Sequence, residues 1–369
     1  MGDPTKLKVL IAGGGTGGHV IPALSIAREL RDAHGAAVQF VGTARGLETR
    51  LVPEAGFPLE LIRVGQLKNV SVATRVRTLV DLPLGVTRCV ELVRSFKPDV
   101  VVGVGGYASG PAMMAAILLR VPTLAFEPNA VPGLANRLVG KWVNAAAVNF
   151  EETRRYFRGA RVTGIPVRQE FFAIGELPPH EERSRSVRLL VFGGSQGARI
   201  FNEVMPKIAK SLMNDVPGLR ILHQAGAKFA EAVTAAYGVS GADVTRWEVA
   251  AFLDDMPRRF AEADLILCRS GASTVAELAA AGKAAVLVPL PTAADNHQLK
   301  NAEVFAAAGA AELRVQGGDA AMENFLSSDL SALLLDRGRR GELSRRVKGL
   351  AHPDAVRVIG EMVVGLARK

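Results

Sequence analysis

Leu7-Lys8-Val9-Leu10-Ile11-Ala12-Gly13-Gly14-Gly15-Thr16-Gly17-Gly18-His19 passes from an apolar run into five glycines and a histidine within thirteen residues. Leu7–Ala12 is a short apolar segment of the kind buried on both faces of a parallel sheet. The glycines read as a tight turn. Val20–Leu30 reads as a helix, with Leu24, Ala27 and Leu30 on one face, Pro22 in the first turn and Gly35 as the stop. The same succession restarts at Val187, about 180 residues later. Leu189–Phe192 is apolar, Gly193-Gly194-Ser195-Gln196-Gly197 follows, and a helix runs through Ile200, Val204, Ile208 and Leu212. Strand, glycine turn and helix open a Rossmann-type unit, so two such domains are expected. Glu176–Arg183, polar and proline-bearing, and Ser184–Ser186 have the composition of a linker.

Further strand candidates alternate with helices: Val38–Val41, Asp99–Val104, Pro122–Phe126 and Ala145–Asn149, then Leu219–His223, Leu265–Cys268 and Ala284–Val288. Parallel open sheets bind ligands at the carboxyl ends of their strands, and two facing sheets make a cleft. Pro353–Lys369 reads as a helix with Val356, Ile359, Met362, Val363 and Leu366 on one stripe, expected to pack back on the first domain. Composition agrees with α/β domains. Of 369 residues, 49% are apolar and 22% charged, which excludes global disorder, and 38 glycines with 5% aromatics do not suit an all-β sandwich. Two cysteines, Cys89 and Cys268, exclude a disulfide scaffold and fit a reducing cytoplasm. Met1–Lys8 leads into no signal-peptide apolar core. Val100–Leu119 carries no charge but is broken by Gly103, Gly105, Gly106, Gly110 and Pro111. It reads as a buried strand, a glycine turn and a helix beginning near Pro111 rather than a membrane span.

The net charge is +9, of which residues 1–176 hold +7. Within Arg63–Lys97, seven basic residues (Arg63, Lys68, Arg75, Arg77, Arg88, Arg94, Lys97) stand among valines and leucines against only Asp81 and Glu91. That composition fits an anionic membrane surface, or else a solvated helix face. With Phe96 as its one aromatic, the segment offers no stacking platform for nucleic acid.

Gly13, Gly15 and Gly18 match a dinucleotide fingerprint, but the second strand ends at Val41-Gly42-Thr43-Ala44-Arg45 without the acid that reads a ribose. Arg45 keeps an NADP enzyme open. Either glycine loop can offer backbone N–H groups to a diphosphate. His19 stands where the helix dipole favours a neutral imidazole, able to accept a proton or merely to cap the helix. In Ser270-Gly271-Ala272-Ser273-Thr274-Val275-Ala276-Glu277, Thr274 and Glu277 fit a capping box; alternatively Glu277 accepts from ribose hydroxyls. Pro289–Gln298 is a polar loop suited to ligand contacts. The chain has no Asp-x-Asp pair for a metal–nucleotide diphosphate, and no obligatory metal or cofactor is expected.

Five segments together resemble one family: GGGTGGHVIPAL (Gly13–Leu24), PDVVVGVGGYASGP (Pro98–Pro111), GGSQGAR (Gly193–Arg199), CRSGASTVAELAAAG (Cys268–Gly282) and PTAADNHQLKNA (Pro291–Ala302). They resemble the MurG family of peripheral membrane glycosyltransferases, in order and over nearly the whole chain. The resemblance implies the α/β GT-B fold, two Rossmann-like domains with a cleft between them. An acceptor- and membrane-facing domain would span 1–166, with the helix 353–369 packed back on it, and a UDP-sugar-binding domain 167–352. It implies transfer of N-acetylglucosamine from UDP-GlcNAc to the 4-hydroxyl of undecaprenyl-diphospho-muramoyl-pentapeptide, with inversion, at the cytoplasmic face of the plasma membrane and near other wall-synthesis proteins. By motif match, Thr16, Gly17, Gly18 and Asn129 lie near the donor, and Arg168 and Ser195 meet its diphosphate. Leu253 flanks the uracil. Ala272, Ser273, Thr274, Val275, Ala276, Glu277 and Gln298 complete the nucleoside site, and His19 is the first choice of general base. The chain departs from the family at Pro128, usually Gln, and Ile165, usually Asn. A UDP-sugar epimerase of the same fold, an NADP-dependent oxidoreductase and a catalytically silent nucleotide-sugar sensor are the alternatives.

Overall fold

The computed structural model describes residues 6–44, 46–63, 72–174 and 186–368. Arg45, Lys68, Val70 and the linker run from Glu176 to Ser184 therefore lie outside the described residues, as do the side chains of Arg75 and Arg77. The chain divides into one unit of Met1–Val167 with His352–Lys369 and a second of Arg168–Ala351.

The first unit runs β1 (Lys8–Ala12), α1 (Gly17–His34), β2 (Ala37–Gly42), α2 (Glu48–Glu54), β3 (Leu59–Leu61), α3 (Val72–Phe96), β4 (Val100–Gly103), α4 (Ser109–Leu118), β5 (Thr123–Glu127), α5 (Leu134–Val139), β6 (Ala145–Val148) and β7 (Ala160–Val162). Its sheet is parallel, in the order β3-β2-β1-β4-β5-β6-β7. The second unit runs α6 (Gln169–Ala173), β8 (Arg188–Phe192), α7 (Arg199–Asp215), β9 (Arg220–Gln224), α8 (Ala230–Val239), β10 (Trp247–Ala250), α9 (Met256–Glu262), β11 (Leu265–Cys268), α10 (Ala272–Ala281), β12 (Ala285–Leu287), α11 (His297–Ala307), β13 (Glu312–Leu313), α12 (Asp319–Leu335) and α13 (Arg337–Lys348). Its parallel sheet has the order β10-β9-β8-β11-β12-β13. The last helix, α14 (Ala355–Ala367), returns to the first unit. It packs Ile359, Val363 and Leu366 against the core, beside α1.

Both sheets are doubly wound. The strand order reverses beside the first strand, which opens a crevice between β1 and β4 in one unit and between β8 and β11 in the other. The central strands have almost no polar residue because helices cover both faces. Val9, Leu10, Ile11, Val101, Val102, Ile266 and Leu267 are all fully buried. Each such side chain contributes about 1.5–3 kcal/mol by leaving water. The two units also share a local device. Asp99 accepts the backbone N–H of Lys8 and Asp264 that of Arg188, both at 2.8 Å, so each first strand is tied to the residue that leads into its partner. The sequence placed Pro22 in the first turn of its helix. Because α1 starts at Gly17, Pro22 falls in the second turn, and the carbonyl that its ring leaves unpaired belongs to Gly18, which has no side chain to crowd it. Among the described residues, no helix is long and apolar enough to cross a membrane.

Candidate active site

In the first unit, the glycine loop leaves the carboxyl end of β1, and the loops after β4 and β5 lie beside it in the sheet. Thr16 is the N-cap of α1 in extended conformation (φ −104°, ψ 162°), with no hydrogen bond from its side chain to the helix. His19 is thus the third residue of α1 and not its cap; its backbone N–H donates to the Thr16 carbonyl at 3.1 Å. Gly105, at φ +89°, lies against its imidazole.

After β5, Glu127 is buried and organises the next loop. One oxygen accepts from the backbone N–H and the Nδ2 of Asn129 (3.0 and 3.1 Å), the other from the N–H of Gly133 and the Nδ2 of Asn136 (both 3.0 Å). Burial pushes its carboxyl above the usual range, and those four donors pull it back. Pro128 is buried within this loop and its carbonyl accepts from Asn149 Nδ2 at 3.2 Å. Ile165 is 2% exposed, a core position.

The first loop is not an open anion cradle. Glu48, 1% exposed at the start of α2, accepts the Gly15 N–H at 2.8 Å and the Thr43 N–H and hydroxyl at 3.0 Å. A diphosphate laid on Gly15 would meet this carboxylate, which argues against the dinucleotide reading of Gly13–Gly18. Sequence reasoning missed Glu48, since a lone acid after Gly46-Leu47 looks like any solvated helix start.

The second loop differs. Gly194, Ser195 and Gln196 are exposed, and the loop is anchored from below by the Gln224 side chain, which donates to the Gly194 carbonyl at 2.9 Å. Beside it, at the end of β11, stands Arg269, only 8% exposed. Its Nη1 donates to the carbonyls of Val288 and Pro289 (3.0 and 2.9 Å), and the guanidinium lies over the Phe201 ring at 5.4 Å. Burial pushes it down to about 10. Arg269, too, was not singled out from sequence.

The helix α10 corrects one expectation. Its N-cap is Gly271, so Thr274 lies inside the first turn and Glu277 in the second, and no side chain caps the helix. The Thr274–Glu277 capping box does not form. Glu277 is left half-buried one turn beyond Ser273 on the same face. Burial raises its carboxyl to about 7, against the pull of the Arg168 charge. Arg168 itself is exposed and stacks on Phe171 at 5.1 Å. Ala272 and Val275 point into the core, while Ser273, Thr274 and Ala276 are partly exposed. Leu253 is buried after β10. The Gln298 side-chain oxygen accepts from the Leu290 N–H at 3.0 Å and its carbonyl from Ser270 Oγ at 2.8 Å, while its amide NH₂ has no protein partner among the described residues. Thus Ser195, Leu253, Ala272–Glu277 and Gln298 lie on the carboxyl-end loops of the second sheet or in the helices that follow them, and Arg168, at the start of α6, reaches them through its charge on Glu277. Thr16, Gly17, Gly18, His19 and Asn129 lie at the corresponding end of the first. Among the described residues, no group of three His, Cys, Asp or Glu could hold a metal ion.

Comparison with known proteins gives a consistent picture. The glycosyltransferase family 28 N-terminal domain matches residues 9–148 and the family's C-terminal domain residues 188–357. The chain is 43% identical to the UDP-N-acetylglucosamine–N-acetylmuramyl-(pentapeptide) pyrophosphoryl-undecaprenol N-acetylglucosamine transferase of Solibacter usitatus, over 99% of this chain and 97% of that one. It is 39% identical to the enzyme of the same name from Bdellovibrio bacteriovorus, over 97% and 99%. Among solved structures, it is similar to MurG of Acinetobacter baumannii, with 31% identity, a TM-score of 0.79 and coverage of 97% and 99%. A UDP-GlcNAc 2-epimerase from Neisseria meningitidis, at 14% identity and a TM-score of 0.67 over 97% and 100%, shares the fold alone.

Proposed function

Starting from a chain that belongs to the MurG family within glycosyltransferase family 28, we propose how its two GT-B domains divide the reaction. The protein is a hexosyltransferase of peptidoglycan synthesis. It moves N-acetylglucosamine from UDP-N-acetylglucosamine to undecaprenyl-diphospho-muramoyl-pentapeptide, forming lipid II. The second domain holds the donor. The contrast between the glycine loops carries this reading: the first has a buried carboxylate on Gly15, whereas the second is exposed and has the buried Arg269 beside it. Arg168, Ser195 and the start of α10 meet the diphosphate, Glu277 meets the ribose, Leu253 flanks the uracil and the Gln298 amide completes the donor site. Thr16, Gly17, Gly18 and Asn129 are the first domain's contribution to donor binding.

His19 removes the proton of the muramoyl 4-hydroxyl as that oxygen attacks the anomeric carbon from the face opposite UDP. The new C–O bond forms while the bond to the diphosphate breaks, and Arg168 with backbone N–H groups stabilises the charge on the departing UDP. The first domain lies on the anionic cytoplasmic face of the plasma membrane, where other wall-synthesis proteins are within reach. Support comes from neighbouring helices: Leu84 on α3, Leu118 at the end of α4, and Leu138 and Trp142 on and after α5 are 59–71% exposed, with Arg88, Arg120, Arg137 and Lys141 among them.

The test is UDP release from UDP-GlcNAc with and without a short-chain acceptor analogue, for the wild type, His19→Ala and Arg168→Ala. Acceptor-dependent release is expected. His19→Ala should lower kcat about 10²–10⁴-fold at nearly unchanged donor affinity, and Arg168→Ala should weaken UDP binding. Full turnover by His19→Ala would end the base assignment.

A further inference from the structure

The grip on Gly15 does more than deter a diphosphate. Its N–H donates to Glu48 Oε2 at 2.8 Å, and its carbonyl accepts the Leu47 N–H at 3.2 Å, so one residue of the loop is clamped from both sides by the start of α2. Glu48 Oε1 takes both the N–H and the hydroxyl of Thr43. All three partners of this carboxylate are donors, and no ion pair reaches it among the described residues. The residue it grips lies two positions before the first residue of α1. The slot is walled by glycine: a Cβ at Gly14, Gly42 or Gly46 would overlap the Glu48 side chain. A buried carboxylate in a slot built to its shape, gripping the residue just before the Thr16–His19 segment, exceeds what packing a surface helix requires.

We propose that Glu48 is a positioning residue for glycosyl transfer: by holding Gly15, it fixes the loop from which His19 reaches the acceptor hydroxyl. This rests on the proposed role of His19, and the test separates the two. Glu48→Gln keeps the shape but turns one oxygen into an NH₂ that faces a donor. A shift of the loop by a fraction of an ångström should lower kcat by about tenfold or more. The KM for UDP-GlcNAc should change by less than kcat, because most of the proposed donor contacts lie outside this loop. The variant is then made in the His19→Ala background. If Glu48 acts through His19, its penalty disappears there, whereas a merely structural role costs the same factor in both.

An unchanged kcat in Glu48→Gln, a parallel rise in donor KM, or an equal loss in both backgrounds overturns the proposal. Full turnover by His19→Ala alone overturns the base assignment and retires the comparison of backgrounds; Glu48 then stands as a positioning residue only if Glu48→Gln lowers kcat at a donor KM that changes less. Should Glu48→Gln not fold, Thr43→Val removes one donor to the same carboxylate with little change of shape. A kcat loss of about two- to fivefold at unchanged KM is expected, and no loss overturns the proposal.

Discussion

Gly105 presses on His19 so closely that a Cβ at position 105 would sit 2.9 Å from the imidazole Cε1 and 3.0 Å from Nδ1. The two residues come from different turns of the same sheet, one after β4 and the other after β1, and they meet because those strands are neighbours. Gly105→Ala would therefore push the ring aside, and at φ +89° it would also strain the backbone by about 1–3 kcal/mol. The expected result is a fall in kcat of about 10–100-fold with UDP affinity preserved. Steady-state kinetics beside calorimetric UDP binding checks it. A kcat within twofold of the wild type would mean that the imidazole position is immaterial.

The ribose contact proposed for Glu277 would make donor binding depend on pH. Unfolded, its carboxyl ionises near 4.5, and burial raises this to about 7 in the fold. Between those values the folded state binds the extra proton, so this group makes stability decrease as pH rises from 4.5 to 7, with no further loss above. Glu277→Gln should flatten that slope and be more stable at pH 8 by about 1–2 kcal/mol, after discount for solvent screening of a half-buried group. UDP binding should move the other way. The ionised carboxylate is the better acceptor for ribose hydroxyls, so wild-type affinity weakens below pH 7, while the variant binds more weakly and without that slope. Thermal melts and UDP titrations at pH 6 and 8 measure both.

The exposed leucines make the membrane reading testable without touching the active site. Leu118 is 69% exposed and Leu84 61%. Burying a leucine in an apolar layer is worth about 1.5–3 kcal/mol, so Leu118→Glu or Leu84→Glu should weaken binding to anionic vesicles by about tenfold or more. Turnover of a water-soluble, short-chain acceptor should be unaffected, and wild-type binding should weaken with added salt. Co-sedimentation with vesicles of mixed neutral and anionic lipid reads the first effect. Equal binding by both variants would remove these leucines from the contact.

What the sequence revealed, and what it hid, follows from position in the sheet. The central strands around β1, β4, β8 and β11 announce themselves as continuous apolar runs because both faces are covered. The strands that went unread, β3, β7, β10 and β13, are the four edges. They pair on one side only, run two to four residues, and mix Glu60, Arg161, Glu248 and Glu312 with apolar neighbours, which leaves no period to detect. The site divides in the same way. Glycine loops are visible because backbone conformation selects residue type, whereas Glu48 and Arg269 depend on which distant carbonyls and N–H groups the fold brings to them. The Thr274–Glu277 spacing fitted a capping box, but Gly271 took the cap because its extended backbone already turns the chain into α10.

His223 is expected to make the second domain sensitive to acid. It is 1% exposed, its Nδ1 lies 3.3 Å from the Tyr237 hydroxyl, and that ring stacks on Trp247 at 5.0 Å. No carboxylate is within ion-pair distance among the described residues, so burial alone lowers its protonation from 6.5 to about 3. Below pH 6.5 the unfolded chain takes up a proton that the folded domain refuses, so stability falls as pH drops from 6.5 towards 3. The loss reaches a few kcal/mol, because each tenfold difference in proton affinity between the two states is worth about 1.4 kcal/mol. His223→Gln should retain a partner for the Tyr237 hydroxyl and remove this component, giving a shallower loss of denaturant midpoint between pH 6.5 and 4 than the wild type. Parallel slopes in the two proteins would show that His223 is already protonated inside the fold, or that other groups govern acid unfolding.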